Sequence, residues 1–208
     1  MYRPPAFAVD DVVKLHAAIR ERSFATVARV MSGRVALGYA PVVLDEHVGP
    51  YGALRLHFSA NNSIVEDVDG AQFHVSFLGP DAYVSPDWYE TPGMVPTWNY
   101  VAVEGQGIAR RLNPDELRQL LVDVSAVQES RLLPKTPWTI DNVPEQKMQM
   151  LMGAIVGIEV RLEKLAGKFK LSQNIKASDF EGAIVGLEAR GDASSLAVAR
   201  SMRKTTAP

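Results

Sequence analysis

The sequence predicts an α+β fold in which short, antiparallel strands close into a β-barrel with helices inserted around it. Three observations carry this. Segments 24–31, 54–58, 73–78 and 98–107 alternate in polarity or are rich in Val, Ala and aromatic residues, as half-buried strands are. Turn residues separate them, without the regular strand–helix alternation of a parallel sheet. No GxGxxG or GxxxxGK[ST] string occurs, which removes dinucleotide-binding and P-loop domains.

The elements follow in order. Asp10 or Asp11 caps a first helix whose apolar side is Val12, Leu15 and Ile19, ending near Arg22. Residues 24–31, a Ser32-Gly33 turn and residues 34–44 read as a hairpin. Residues 54–58 form the next strand, and residues 73–78 another that stops at Gly79-Pro80. Tyr83-Val84 and 98–107 add strand, with a loop of three prolines across 85–96. Asn113-Pro114-Asp115-Glu116 is a helix start, with a cap, a proline at the first helical position and acids in the first turn. Leu117, Leu120, Leu121 and Val124 give that helix its apolar face. A proline-punctuated connector at 135–144 leads to a short Met-rich helix at 145–152 and a late strand at 155–165. Ser178-Asp179 is read as the cap of a last helix bearing Phe180, Ile184 and Leu187. The expectation is a single domain over 1–190 and a polar, flexible tail over 191–208.

Composition sets the class. The chain has 208 residues, 47% hydrophobic and 22% charged, as folded domains do, and a net charge of −2. Residues 161–208 hold nine Lys and Arg against five acids, which leaves residues 1–160 at −6. The absence of cysteine excludes disulfide scaffolds, zinc–thiolate sites and cysteine catalysis. No run of about 18 apolar residues is present to span a membrane, and residues 1–11 lack the apolar core of a signal peptide, so a cytoplasmic protein is expected. His16, His47, His57 and His74 lack metal-ligand spacing, so no metal site is expected. His16 and His47 read as surface residues, and His57 and His74 as residues of strands. No serine lies in a GxSxG setting, and no catalytic residue is assigned.

Three polar-aromatic strings exceed what core packing needs: Tyr83-Val84-Ser85-Pro86-Asp87-Trp88-Tyr89, Val95-Pro96-Thr97-Trp98-Asn99-Tyr100 and Gly167-Lys168-Phe169-Lys170-Leu171-Ser172-Gln173-Asn174. Flat rings beside hydroxyls and amides suit a planar, hydrogen-bonding ligand such as a flavin. Lys168, Lys170, Ser172, Gln173 and Asn174 offer donors to a phosphate or to ring carbonyls. Packing of an aromatic loop beside a basic turn explains the same strings without a ligand.

With the Met1-Tyr2-Arg3-Pro4-Pro5-Ala6-Phe7 start, these strings resemble the FMN-binding negative transcriptional regulators, the PaiB-like family, over almost the whole chain to about Leu187. The resemblance implies a split β-barrel like that of pyridoxamine-phosphate oxidases with peripheral helices, a homodimer with FMN at the subunit interface, and repression of bacterial genes. The cofactor-binding residues it suggests are His57, Ser59, Asn61, Asn62, Tyr83, Ser85, Trp88, Thr97, Trp98, Asn99, Lys168, Lys170, Ser172, Gln173 and Asn174. Two positions depart from the family. Gly38-Tyr39-Ala40-Pro41 replaces a Thr-His-Leu-Pro string, and Ala60 stands where the turn after His57 carries an arginine. Losing that charge-assisted bond is expected to cost the phosphate about 1.5–3 kcal/mol.

Three functions remain open: a flavin-binding regulator, a flavin-dependent oxidoreductase using His57, Tyr39 or Tyr83 as proton donor, and a cofactor-free interaction protein. The acidic first 160 residues and the lack of a recognition-helix pattern do not support sequence-specific DNA binding.

Overall fold

The computed structural model describes residues 1–205. Its elements in chain order are β1 (Ala8–Val9), α1 (Val12–Glu21), β2 (Phe24–Met31), β3 (Arg34–Pro41), β4 (Val43–Asp45), β5 (Ala53–Ser59), β6 (Gln72–Val84), β7 (Thr97–Arg111), α2 (Pro114–Ser130), α3 (Glu145–Gly153), β8 (Ile155–Lys170), α4 (Ala177–Arg190) and α5 (Ala193–Arg203). Short 3-10 turns lie at Ser63–Val65 and Pro86–Trp88, among others. The strands hydrogen-bond in the order β3-β2-β6-β7-β8-β5-β4, and β1 joins β8 through Ala8↔Lys168. The described residues form two compact units: a larger one of residues 19–77 and 105–165, and a smaller one of residues 1–18, 78–104 and 166 onward.

In the larger unit, β2 and β3 form a hairpin running from Phe24↔Pro41 to Met31↔Arg34. Its turn residues Ser32 and Gly33 both take positive φ, as a two-residue hairpin turn requires. Alternation buries Ala25 and Val27 from β2 and Leu54, Leu56 and Phe58 from β5. Among the described residues β3 pairs with β2, and β5 with β4 and β8, so no ladder joins β3 to β5. Side chains close that seam. The Phe58 ring lies against Gly38, where a Cβ would stand 2.6 Å from it.

Asn113 caps α2 as its sequence requires: its Oδ1 accepts from Glu116 N (2.9 Å) and the Glu116 carboxylate accepts from Asn113 N (2.8 Å). Leu117 and Leu120 then pack with Leu112 against Val43, Val124, Met152 and Ile155. Arg55 fastens the same helix to the strands, pairing with Asp45 (2.5 Å) and Asp123 (2.8 Å). Arg29 is buried on β2 and donates to the carbonyls of Ile64 (3.1 Å), Glu66 (2.6 Å) and Asp67 (3.4 Å).

The smaller unit has its own core. Ala82 and Val84 from β6 and Leu171 meet Phe180, Ile184 and Leu187 from α4 and Val198, Ala199 and Met202 from α5. Residues 191–205 therefore depart from the flexible tail expected of 191–208. Gly191 takes a left-handed φ of 73° to end α4, and Asp192 Oδ1 accepts from Ser195 N (3.0 Å) to start α5. The apolar spacing of Val198, Ala199 and Met202 was hidden among small and polar neighbours; residues 206–208 lie outside the described chain.

Three further readings are corrected. β6 runs on through Gly79-Pro80 to Val84 instead of stopping there, with Gly79 fitted against Val101, 3.0 Å from where a Cβ would be. Asp179 does not cap α4, whose N-cap is Lys176; its carboxylate is engaged elsewhere. His16 is buried on α1, not at the surface.

Candidate functional site

The three aromatic strings all fold within the smaller unit. Tyr83 is the next-to-last residue of β6 and Trp98 the second of β7; their rings meet edge to face with centroids 6.1 Å apart. Both stay open to solvent, Tyr83 at 37% and Trp98 at 53%. Gly167-Lys168-Phe169-Lys170 is the last stretch of β8, not a turn, so Lys168 and Lys170 project from the same face at a spacing of two. The Lys168 ammonium lies 5.7 Å from the Tyr2 ring centre and 5.5 Å from that of Tyr100. Lys170 donates to Thr97 Oγ1 and to the Trp98 carbonyl (2.9 Å).

No salt bridge to a carboxylate is made by either lysine among the described residues, whereas the half-buried Arg3, Arg55 and Arg118 each make one. Burial holds the Lys170 ammonium below the usual lysine pKa, and the neighbouring Lys168 charge adds to that fall. An anion bound here would offset both by favouring the charged ammonium.

Other predicted donors hold the scaffold. Asn99 is fully buried; its Nδ2 donates to Ser172 Oγ (2.9 Å) and lies 3.4 Å from Met202 Sδ. Ser172 sits at a φ of 62°. Gln173 folds back, accepting from Leu171 N (2.8 Å) and donating to the Phe169 carbonyl (2.7 Å). Ser85 accepts from Asp87 N (3.3 Å) and so starts the turn at Pro86–Trp88. Asn174 is exposed just beyond β8. Trp88 packs on α4.

The predicted residues of the larger unit cluster around the end of β5. Ser59 Oγ accepts from Asn61 N (3.3 Å) and Asn62 Oδ1 from Ile64 N (3.1 Å), so both oxygens shape the turn. Asn61 and Ala60 are exposed, and Ala60 supplies no side-chain donor. His57 is half-buried; its Nδ1 is buried without a hydrogen-bond partner, and desolvation lowers its pKa below the ordinary histidine value. Tyr39 stands exposed on β3. Sequence reading missed Tyr2 and Tyr100 as partners of Lys168, and Tyr89, Thr91 and Asp179 as supports. The four-residue spacing of Gly182 and Gly186 was the available signal that Trp88 packs on α4. Among the described residues, no cluster of His, Asp or Glu could hold a metal ion.

An antiparallel split barrel that sets two carboxylate-free lysines beside open aromatic rings is the framework of a flavin-binding protein. The chain belongs to the family described as "Putative FMN-binding domain", whose profile matches residues 1–164, and FMN is the cofactor of that family. It is similar to the protease synthase and sporulation protein PAI 2 of Bacillus subtilis, 29% identical over 189 residues, 90% of this chain and 89% of that protein. An uncharacterized protein of Aspergillus fumigatus is 33% identical over 149 residues, covering 62% of this chain and 57% of its own. Among solved structures, the FAD and heme binding protein of Mycobacterium smegmatis shares the fold with a TM-score of 0.58 at 16% identity, over 89% of this chain and 80% of that one. The flavocytochrome Anf3 of Azotobacter vinelandii gives 0.55 at 13%, over 81% and 72%.

The residues present fit FMN. Its phosphate is an anion, and Lys168 and Lys170 are cations with donors to spare; its ring is planar, and Trp98 and Tyr83 are open.

Proposed function

We propose that this chain is a cytoplasmic FMN-binding protein that works as a homodimer and lowers the expression of genes, as the resemblance of its aromatic strings to the FMN-binding negative transcriptional regulators implies. The observation that carries the flavin site is the Lys168–Lys170 pair, free of carboxylates and framed by Trp98, Tyr100 and Tyr83. The lysines take the phosphate, a role that Ala60 cannot fill, and the rings take the isoalloxazine. When bound, FMN supplies redox chemistry that no side chain offers. The chain's own groups bind and orient it: Lys170 is held by Thr97 and the Trp98 carbonyl, and the Tyr83 edge steadies Trp98.

The dimer reading rests on the hairpin of the larger unit. Phe24, Val30, Val35, Leu37 and Tyr39 are all exposed, and the register Val30↔Val35, Ala28↔Leu37, Thr26↔Tyr39 sets them on one face. A continuous apolar face of this kind is rare on a monomer, and a second copy of the same hairpin would cover it. A visible flavin spectrum in the protein as purified, or its appearance on adding FMN, supports the proposal. A protein that stays colourless and leaves FMN fluorescence unchanged at high concentration refutes it.

A further inference from the structure

Residues 88–91 are pinned, one after another, onto α4 and the segment after β8. The Trp88 ring occupies a notch between Gly182 and Gly186; a Cβ on Gly186 would stand 2.5 Å from Trp88 Cγ, and one on Gly182 would overlap the Trp88 carbonyl. The Tyr89 hydroxyl hydrogen-bonds with Ser172, the residue that also receives Asn99 Nδ2. The amides of Glu90 and Thr91 both donate to Asp179 Oδ1, at 2.8 and 3.0 Å. Asp179 is buried, and its bonds to Thr91 and Glu90 hold its carboxyl below the usual aspartate range.

This segment joins Tyr83 to Trp98, the two rings of the platform. Its connection through Ser172 reaches Asn99, the residue next to Trp98. We infer that residues 88–91 are a clasp, closed on α4 by the Gly182–Gly186 notch and Asp179, that sets the Tyr83–Trp98 platform for the flavin ring. The inference rests on the flavin site proposed above. It makes Trp88 a positioning residue, and it makes α4 part of the binding unit although the family profile ends at residue 164.

Gly186→Ala tests it. The substitution favours the helix itself, since alanine outranks glycine as a helix former, while its methyl occupies the space of the indole. Trp88→Leu removes the ring without adding bulk to α4, and Lys170→Ala serves as the phosphate-end control. FMN and riboflavin are titrated against each variant, and the shape of the visible flavin band is recorded for each complex. Gly186→Ala and Trp88→Leu are expected to weaken both flavins alike by about tenfold and to alter the band, and the double variant to be no worse than either alone. Lys170→Ala is expected to weaken FMN selectively and leave the band unchanged. If Gly186→Ala and Trp88→Leu bind both flavins as the parent does while Lys170→Ala loses FMN, the clasp is overturned and the site stands. If none of the three changes binding, the site falls and the clasp falls with it.

Discussion

The indole of Trp88 lies against Gly186, with room for a hydrogen on that α-carbon and none for a methyl. A loop with prolines at 86, 92 and 96 is thereby tied to a helix nearly one hundred residues further along the chain. Asp179 closes the same junction by accepting two main-chain N–H groups, which turns an acid in the first turn of α4 into a loop anchor. Residues 88–91 are held by these long-range contacts, while the turn before them is started locally by Ser85, which accepts from Asp87 N.

Arg29 is 8% exposed and has no carboxylate partner among the described residues; it holds three carbonyls of residues 64–67 and stacks 5.3 Å from the centre of the Phe73 ring. Arg29→Met keeps much of the length and leaves those carbonyls without their donor. It is expected to destabilise the fold by about 2–4 kcal/mol, read by urea denaturation. A loss below about 0.5 kcal/mol would mean that water replaces the guanidinium at no cost.

His57 titrates lower in the folded chain than when unfolded, because its imidazole is desolvated and its Nδ1 finds no partner. The unfolded state then binds the extra proton first. Stability is flat above the unfolded value of about 6.5 and falls as pH drops below it. His57→Leu should flatten the part of the urea-stability profile just below that value. An unchanged slope in the variant would show that His57 is well solvated in the folded state.

Much of this architecture could be read from residue patterns, and the failures share a cause. The start of α2 was legible because Asn113, Pro114 and Glu116 act on each other within four residues. The β2–β3 hairpin was legible because Ser32-Gly33 turns between two apolar runs. Gly79-Pro80 looked like a stop, yet β6 passes through it because Gly79 is packed against Val101 from another strand. Ser172 and Gln173 looked like ligand donors, and they bond Asn99 and the neighbouring backbone. Local chemistry was visible; the partner across the fold was not.

The exposed hairpin face gives the next expectation. Leu37→Glu places a charge in the middle of the row formed by Val30, Val35 and Tyr39 without touching the buried residues of β3. Sedimentation equilibrium should show a dimer for the parent chain and a monomer for the variant, because burying an unpaired carboxylate at a contact is strongly unfavourable. A parent that sediments as a 22.8 kDa monomer at micromolar concentration would rule out the dimer.

The most direct measurement is a paired titration of FMN and riboflavin against the parent and Lys170→Ala, followed by flavin fluorescence. The two ligands differ only in the phosphate, so their ratio isolates the lysine end of the site. The parent should prefer FMN, and Lys170→Ala should weaken FMN by about tenfold or more, worth about 1.4 kcal/mol, while riboflavin changes less than about threefold. Equal affinity of the parent for both flavins, unaltered by Lys170→Ala, would contradict a phosphate site at Lys168 and Lys170.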